Sequence, residues 1–318
     1  MKRSATKILK RTLWLLLFLF VLANVVAAMH AYKFTHFSSG GERPKSFNLS
    51  TAEKLRLLLT GVDNPRPANI YKPLHQYTTV NIKSNVNLEC WYMPALKSPK
   101  GTVLLFHGYT SCKALLLDRA QVYIQGGYNC LLVDFMGSGG SGGNSTTVGF
   151  KEAQEVADCY KYIQQKGEKN IFLYGSSMGA VAIMKAVNDK QVHPAGIIID
   201  CPFATMKETV GIRFTTLGVP QFPMANLLLF WGGLENGFNA SEHNPVDYAK
   251  NVHCPALLQY GEKDERVGRN EIDRVYKNLS GRKQLAIYPQ AGHDNFLLNY
   301  RKEWSKTTIS FLDKSRIK

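Results

Sequence analysis

Short apolar runs and longer helix-patterned stretches alternate along most of this chain, and that rhythm points to a class of fold. Two runs, 77–82 and 88–92, alternate apolar with polar residues across a short turn segment and predict an antiparallel hairpin. Beyond it, strand-like runs at 102–106, 130–134, 171–174 and 196–200 are interleaved with helical patterns at 114–124, 151–165 and 180–187. Strands that alternate with helices build βαβ units, and so a mostly parallel sheet with helices packed on it. Two further apolar strands, at 256–260 and 284–287, follow an insertion at 202–252 that carries Phe203, Phe214, Phe222, Met224, Phe230 and Trp231. Ligands of such sheets bind at the carboxyl ends of the strands. An insertion between strands at that point is expected to form a small cap. Most of its apolar residues should fill its own core, and the others should line a pocket for an acyl chain or a hydrophobic residue.

The most apolar run of all is 13–29, broken only by Asn24, with Lys2, Arg3, Lys7, Lys10 and Arg11 before it and no acidic residue before Glu42. Its length falls between a long signal-peptide core and a short membrane span. The basic flank places the amino terminus in the cytoplasm and the rest of the chain outside it. A retained single-pass anchor is the expectation. The alternative is cleavage near Ala27-Ala28, which would release a secreted or periplasmic domain. The chain then divides into a leader and anchor at 1–32, a connector at 33–75 and one folded domain at 76–318 with its cap at 202–252. In the connector, Ser50-Thr51-Ala52-Glu53 is a capping box that starts a short helix, and Asn64-Pro65-Arg66-Pro67 ends it.

Candidate chemistry gathers at the ends of the predicted strands. Gly175-Ser176-Ser177-Met178-Gly179 falls where the strand at 171–174 hands over to a helix. A G-x-S-x-G at such a junction is a nucleophile elbow, a turn so tight that the flanking positions must lack side chains. Ser177 is the residue at its tip. A serine hydroxyl needs a base and an orienting acid. His293, in the loop after the strand at 284–287, is the base. The acid belongs between them in chain order. Asp264, just past the strand at 256–260, is assigned the role, and Asp200, ending the strand at 196–200, is the alternative. The loop His107-Gly108-Tyr109-Thr110 follows the strand at 102–106 and can aim a backbone N–H at a substrate oxygen. The backbone amides of Tyr109 and Met178 are the expected oxyanion donors, and His107 braces their loop. Because all of these lie beyond Phe106, a chain beginning near Lys33 is expected to keep full activity.

Taken together, Phe106-His107-Gly108, the elbow at 175–179, the segment 261–267 and Gly292-His293 resemble an α/β-hydrolase. The resemblance is to the branch that includes serine aminopeptidase-like and monoacylglycerol lipase-like enzymes, and it covers about residues 75–313. It implies an α/β-hydrolase fold: an eight-stranded, mostly parallel sheet with helices on both faces. The segment 134–141 also resembles that family's Asp-x-Arg-Gly-x-Gly-x-Ser loop, but Met136 stands where the family has Arg. The glycines from Gly137 to Gly143 are read as a flexible surface loop, since no Gly-Lys-Ser/Thr follows to make a phosphate cradle.

Composition narrows the function classes. The formal net charge is +15, but five of those charges lie in the leader and the rest are dispersed. A dispersed basic surface beside an anchor suits anionic lipid headgroups. No helix-turn-helix, zinc spacing or basic-aromatic interleaving points to nucleic acid. The six cysteines are widely spaced with no C-x-x-C, so no metal site is expected, and no motif calls for a cofactor. The expectation is a membrane-anchored serine hydrolase that acts as a monomer. It would cleave an ester, thioester or amide in a small-molecule or short acyl or peptidyl substrate through an acyl-serine intermediate. The alternative is a catalytically silent binding module of the same fold.

Overall fold

The computed structural model describes residues 2–40, 50–216, 218 and 220–317. The hairpin predicted from alternation is there, with β1 (Thr78–Lys83) and β2 (Asn87–Met93) paired antiparallel and Val80 opposite Cys90. The apolar runs that follow become β3 (Thr102–Phe106), β4 (Asn129–Val133), β5 (Ile171–Ser176), β6 (Gly196–Asp200), β7 (Ala256–Gly261) and β8 (Lys283–Tyr288). All eight form one sheet in the order β1-β2-β4-β3-β5-β6-β7-β8. β2 joins β4 antiparallel, and every later pairing is parallel. The central strands β3 and β6 are buried along their whole length, which is why they read as unbroken apolar runs with no alternation.

The order of elements is explained by crossover handedness and by cover for both faces. Between the parallel strands run α3 (Leu117–Gln125), α4 (Glu152–Gln165) and α5 (Met178–Asp189). The insertion between β6 and β7 carries α6 (Met206–Thr216), α7 (Met224–Asn236) and the short α8 (Pro245–Tyr248), and α9 (Arg269–Asn278) and α10 (Leu297–Ser315) complete the cover. In that insertion, Phe203 and Phe214 are buried, whereas Phe222 and Phe230 are exposed.

Ahead of the sheet, the first helix, α1 or αN, spans Lys2–Thr35, and the capping box at Ser50 and Glu53 starts α2 at Thr51–Thr60. αN is long and apolar enough to cross a membrane. Its first two-thirds expose Leu, Phe, Trp and Val side chains, and its last turns bury Ala27, Ala31 and Thr35. Asn24, the one polar break in the apolar run, accepts a hydrogen bond from the indole N–H of Trp231 on α7 at 3.1 Å.

The glycine loop reaches the surface as expected, with Gly140 and Gly143 exposed, but it is closely packed from beneath. Ser138 and Ser141 are buried, the Ser141 hydroxyl donates to the Asp134 carbonyl at 2.6 Å, and the Gly140 amide donates to the Asp134 carboxylate at 2.9 Å. A side chain at Gly139 would overlap that carboxylate at 1.9 Å. The Asp134 carboxylate also pairs with Lys113, which is fully buried and bonded to Glu89 at 2.7 Å. Met136 stands where the resembled motif has Arg, and besides Lys113 a second cation reaches this loop from residues ahead of the hairpin: the Arg66 guanidinium donates to the carbonyls of Gly139, Ser141 and Gly143. Glycine was needed here for close approach, not for flexibility.

Candidate active site

Each group named from the sequence sits at the carboxyl edge of the sheet, on β3, β5, β6, β7 or β8, which are consecutive in the sheet order. β5 ends at Ser176, and Ser177 lies between it and α5 with φ 50° and ψ −110°. That left-handed backbone is strained for any residue with a side chain, and strain of this kind persists only where the surroundings enforce it. They do so here. The Ser177 amide donates to the Asp200 carbonyl on neighbouring β6 at 2.7 Å. Gly175 and Gly179 face the turn from both sides: a Cβ on Gly175 would meet the Gly179 carbonyl carbon at 2.5 Å, and one on Gly179 would meet the Phe106 carbonyl oxygen at 2.4 Å. Alanine at Gly179 must therefore push β3 away from α5. We expect Gly179→Ala to lower the melting temperature by roughly 5–10 °C, the upper end of overpacking costs for a domain of this size. Thermal unfolding of the purified variant measures this.

Asp264 and His293 meet because β7 and β8 are neighbours and their loops touch. Gly261 permits that contact, since a Cβ there would lie 2.3 Å from the Gly292 carbonyl oxygen. The Lys263 amide donates to the Ala291 carbonyl at 2.9 Å and fastens the two loops. The His293 Nδ1–H donates to Asp264 Oδ2 at 2.7 Å. The other oxygen, Oδ1, accepts from the Arg266 and Val267 amides at 2.8 and 2.9 Å. Burial pulls the Asp264 carboxyl upward, but its hydrogen bond to His293, the charge of that ring and the two amides outweigh this and hold it below the ordinary carboxylate value. It is therefore an anion at neutral pH. With Nδ1 carrying the proton, His293 presents Nε2 as a proton acceptor.

Asp200, the alternative acid, is placed differently. It is buried under the sheet edge, and its oxygens accept from the Tyr174 hydroxyl at 2.6 Å and the Gln259 amide at 2.8 Å. Burial raises its pKa to about 6, against the hydrogen bonds of Tyr174 and Gln259 and the charge of Arg119. Arg119 in turn donates to the Tyr174 hydroxyl at 3.0 Å. This network braces β5, β6 and β7 beneath the elbow, and the histidine's hydrogen bond goes to Asp264.

The loop after β3 comes up beside the elbow. A Cβ on Gly108 would stand 3.7 Å from the Ser177 Cβ. His107 is fully buried and neutral, its pKa lowered chiefly by burial. Its Nδ1–H donates to the Gly108 carbonyl at 2.8 Å, and its Nε2 accepts from the Phe135 amide at 3.0 Å. It ties the β3 and β4 loops together, which is the bracing part expected of it. Met178 opens α5, so its amide belongs to the first helical turn, where N–H groups lack intrahelical acceptors and the dipole favours an anion.

Cys201 is the residue at this edge that sequence reasoning missed. Its ligand atom and those of Asp264 and His293 all lie within 4.8 Å of one another. Burial, with the carboxylate of Asp264 beside it, pushes the thiol well above its usual pKa. A protonated thiol is a hydrogen-bond donor to Asp264 and a poor metal ligand. The signal for it was positional: Cys201 directly follows the strand-ending Asp200, at the same edge as Ser177.

Comparison with known proteins places these observations. A family model described as serine aminopeptidase, S33, matches residues 97–232. The chain has the α/β-hydrolase fold. Among solved structures, an esterase of Pyrococcus furiosus, Pf2001, superimposes with a TM-score of 0.65 at 23% identity, covering 79% of this chain and 98% of that one. By sequence, the chain is 26% identical over 226 residues to the uncharacterized protein YqkD of Bacillus subtilis, covering 70% of this chain and 74% of YqkD. It is 25% identical over 221 residues to human protein ABHD12B, covering 65% of this chain and 59% of that protein. The α/β-hydrolase fold resembles that of esterases, and the central part of the chain resembles the serine aminopeptidases, as its motifs imply.

Proposed function

We propose that this α/β-hydrolase chain is a membrane-anchored serine hydrolase with Ser177 as nucleophile, His293 as base and Asp264 as orienting acid. The observation that carries the reading is the left-handed elbow at Ser177 with the bonded Asp264–His293 pair two and three strands along the same edge. In the reaction, the Ser177 hydroxyl attacks the carbonyl carbon of an ester, thioester or amide while its proton passes to His293 Nε2. Asp264 holds the ring and stabilises the imidazolium without taking the proton. The carbonyl oxygen becomes an oxyanion bound by the backbone amides of Tyr109 and Met178. Collapse expels the leaving group, which takes the proton from His293 and leaves an acyl-serine. Water then attacks the acyl carbon, giving its proton to His293. The acid departs as that proton returns to Ser177.

A fluorophosphonate probe tests the reading, because it phosphonylates only an activated serine. The full-length protein should be labelled and Ser177→Ala should not. Folded wild-type protein that resists the probe would instead favour a silent binding module.

Retention of αN is supported by its burial of Ala27 and Ala31 and by the Asn24–Trp231 bond, and the basic residues ahead of its apolar run favour a single-pass anchor with the hydrolase domain outside the cytoplasm. Cleavage at Ala27-Ala28 would sever part of that packing. Protein from cells should therefore need detergent for extraction and keep its first residues. A mature terminus near Ala28 on amino-terminal sequencing would show a cleaved signal and a released enzyme.

A further inference from the structure

αN does more than tether the domain. Its final turn, Phe34-Thr35, touches the surroundings of both residues assigned as oxyanion donors. The Tyr109 hydroxyl donates to the Phe34 carbonyl at 2.7 Å. The two rings pack against each other with centroids 4.9 Å apart and planes tilted by 34°, and the Arg213 guanidinium of α6 lies 3.9 Å from the Phe34 ring centre and 5.5 Å from that of Tyr109. One residue on, the Thr35 carbonyl accepts from the Thr146 amide at 2.8 Å, and the Phe37 amide donates to the Asn144 carbonyl at 2.7 Å. The Thr146 hydroxyl lies 3.3 Å from the Met178 sulfur. Thr110, next to Tyr109, has φ 53°, so the oxyanion loop carries strained backbone that needs outside support.

We propose that the last turn of αN is a built part of the catalytic site, and that Phe34 and the Tyr109 side chain are positioning residues for the oxyanion loop. This rests on the serine-hydrolase reading above. It also revises the expectation that a chain beginning near Lys33 keeps full activity. Such a chain holds every catalytic group, but it lacks the α-helical turns that set Phe34 in place. Oxyanion donors work by preorganisation, so a loop freed by a fraction of an ångström loses rate while still binding substrate. The anchor then couples the domain's hold on the helix to its turnover.

The test uses the full-length protein in detergent micelles, with Tyr109→Phe, Phe34→Ala and the conservative Phe34→Tyr. Tyr109→Phe removes only the hydroxyl that reaches αN, and Phe34→Ala removes the ring beneath Tyr109 and Arg213. Each should lower kcat roughly tenfold, short of the 10²–10³-fold lost when a donor is removed outright. KM for a soluble p-nitrophenyl ester should change less than twofold. Phe34→Tyr should restore kcat.

Hydrogen exchange measured on the same samples supplies a readout independent of turnover. Phe34→Ala should quicken exchange in peptides spanning 107–112 and leave those spanning the sheet unchanged. Unchanged exchange in 107–112, or quickened exchange with wild-type kcat, would overturn the proposal. A wild-type protein without esterase turnover would sink the hydrolase reading instead, and the exchange data would still report whether αN holds the loop.

Discussion

Ser177→Ala should lower turnover by roughly 10⁶-fold, His293→Ala by a similar factor, and the double variant scarcely further, because such residues act as a unit. The expectation follows from what each supplies. Without the Ser177 hydroxyl there is no oxygen to acylate, and without His293 Nε2 that hydroxyl keeps its proton and stays a weak nucleophile. Once either is gone, the other has nothing left to do. The residual rate would come from substrate held against the backbone amides of Tyr109 and Met178. Steady-state kinetics of the four proteins on one activated ester is sufficient. A double variant that falls by the product of the two single effects would mean that Ser177 and His293 belong to separate processes.

Asp264→Asn should cost roughly 10³–10⁴-fold in kcat with the fold intact. The amide would offer its NH₂ or its oxygen to Nδ1 with no charge, and the ring would be free to carry its proton on Nε2, facing the serine. Asp200→Asn should behave in the opposite way, keeping most of the turnover and changing stability. Its signature is a pH dependence. Asp200 has a folded pKa raised from the ordinary 3.8 to about 6, so between those values the folded state holds a proton that the unfolded state has lost. Stability from this group is present below about pH 4 and is lost as pH rises toward about 6. Asp200→Asn should erase that decline from the melting curves. Inactivity in Asp200→Asn with near-normal rates in Asp264→Asn would transfer the acid's role to Asp200.

The sheet was legible because buried parallel strands have to be continuous apolar runs, and every such run from 102 to 288 lies within or beside an observed strand. The elbow was legible because only glycine tolerates backbone at 2.4–2.6 Å from its own Cβ position, as Gly175 and Gly179 do. The Asp264–His293 contact followed from the convention that the acid precedes the histidine, with its actual closeness due to Gly261, whose part the pattern did not announce. What the sequence hid is long-range. Arg66 bracing the glycine loop, Cys201 leaning on Asp264, and Phe34 under Tyr109 are each one side chain or carbonyl brought in from a distant segment. Nothing in local periodicity marks them. The reach of αN was hidden for a related reason: an apolar run suits a bilayer and a cap helix equally well, and only Asn24, polar within it, hinted at a protein partner.

A serine hydrolase is defined by where the acyl group goes. Rapid mixing of the full-length protein with a p-nitrophenyl ester, acid quench and peptide mass mapping should show a burst of one nitrophenolate per chain. The acyl mass should be carried by the peptide containing Ser177. A burst that persists in Ser177→Ala, or an acyl group mapped to another residue, would contradict it.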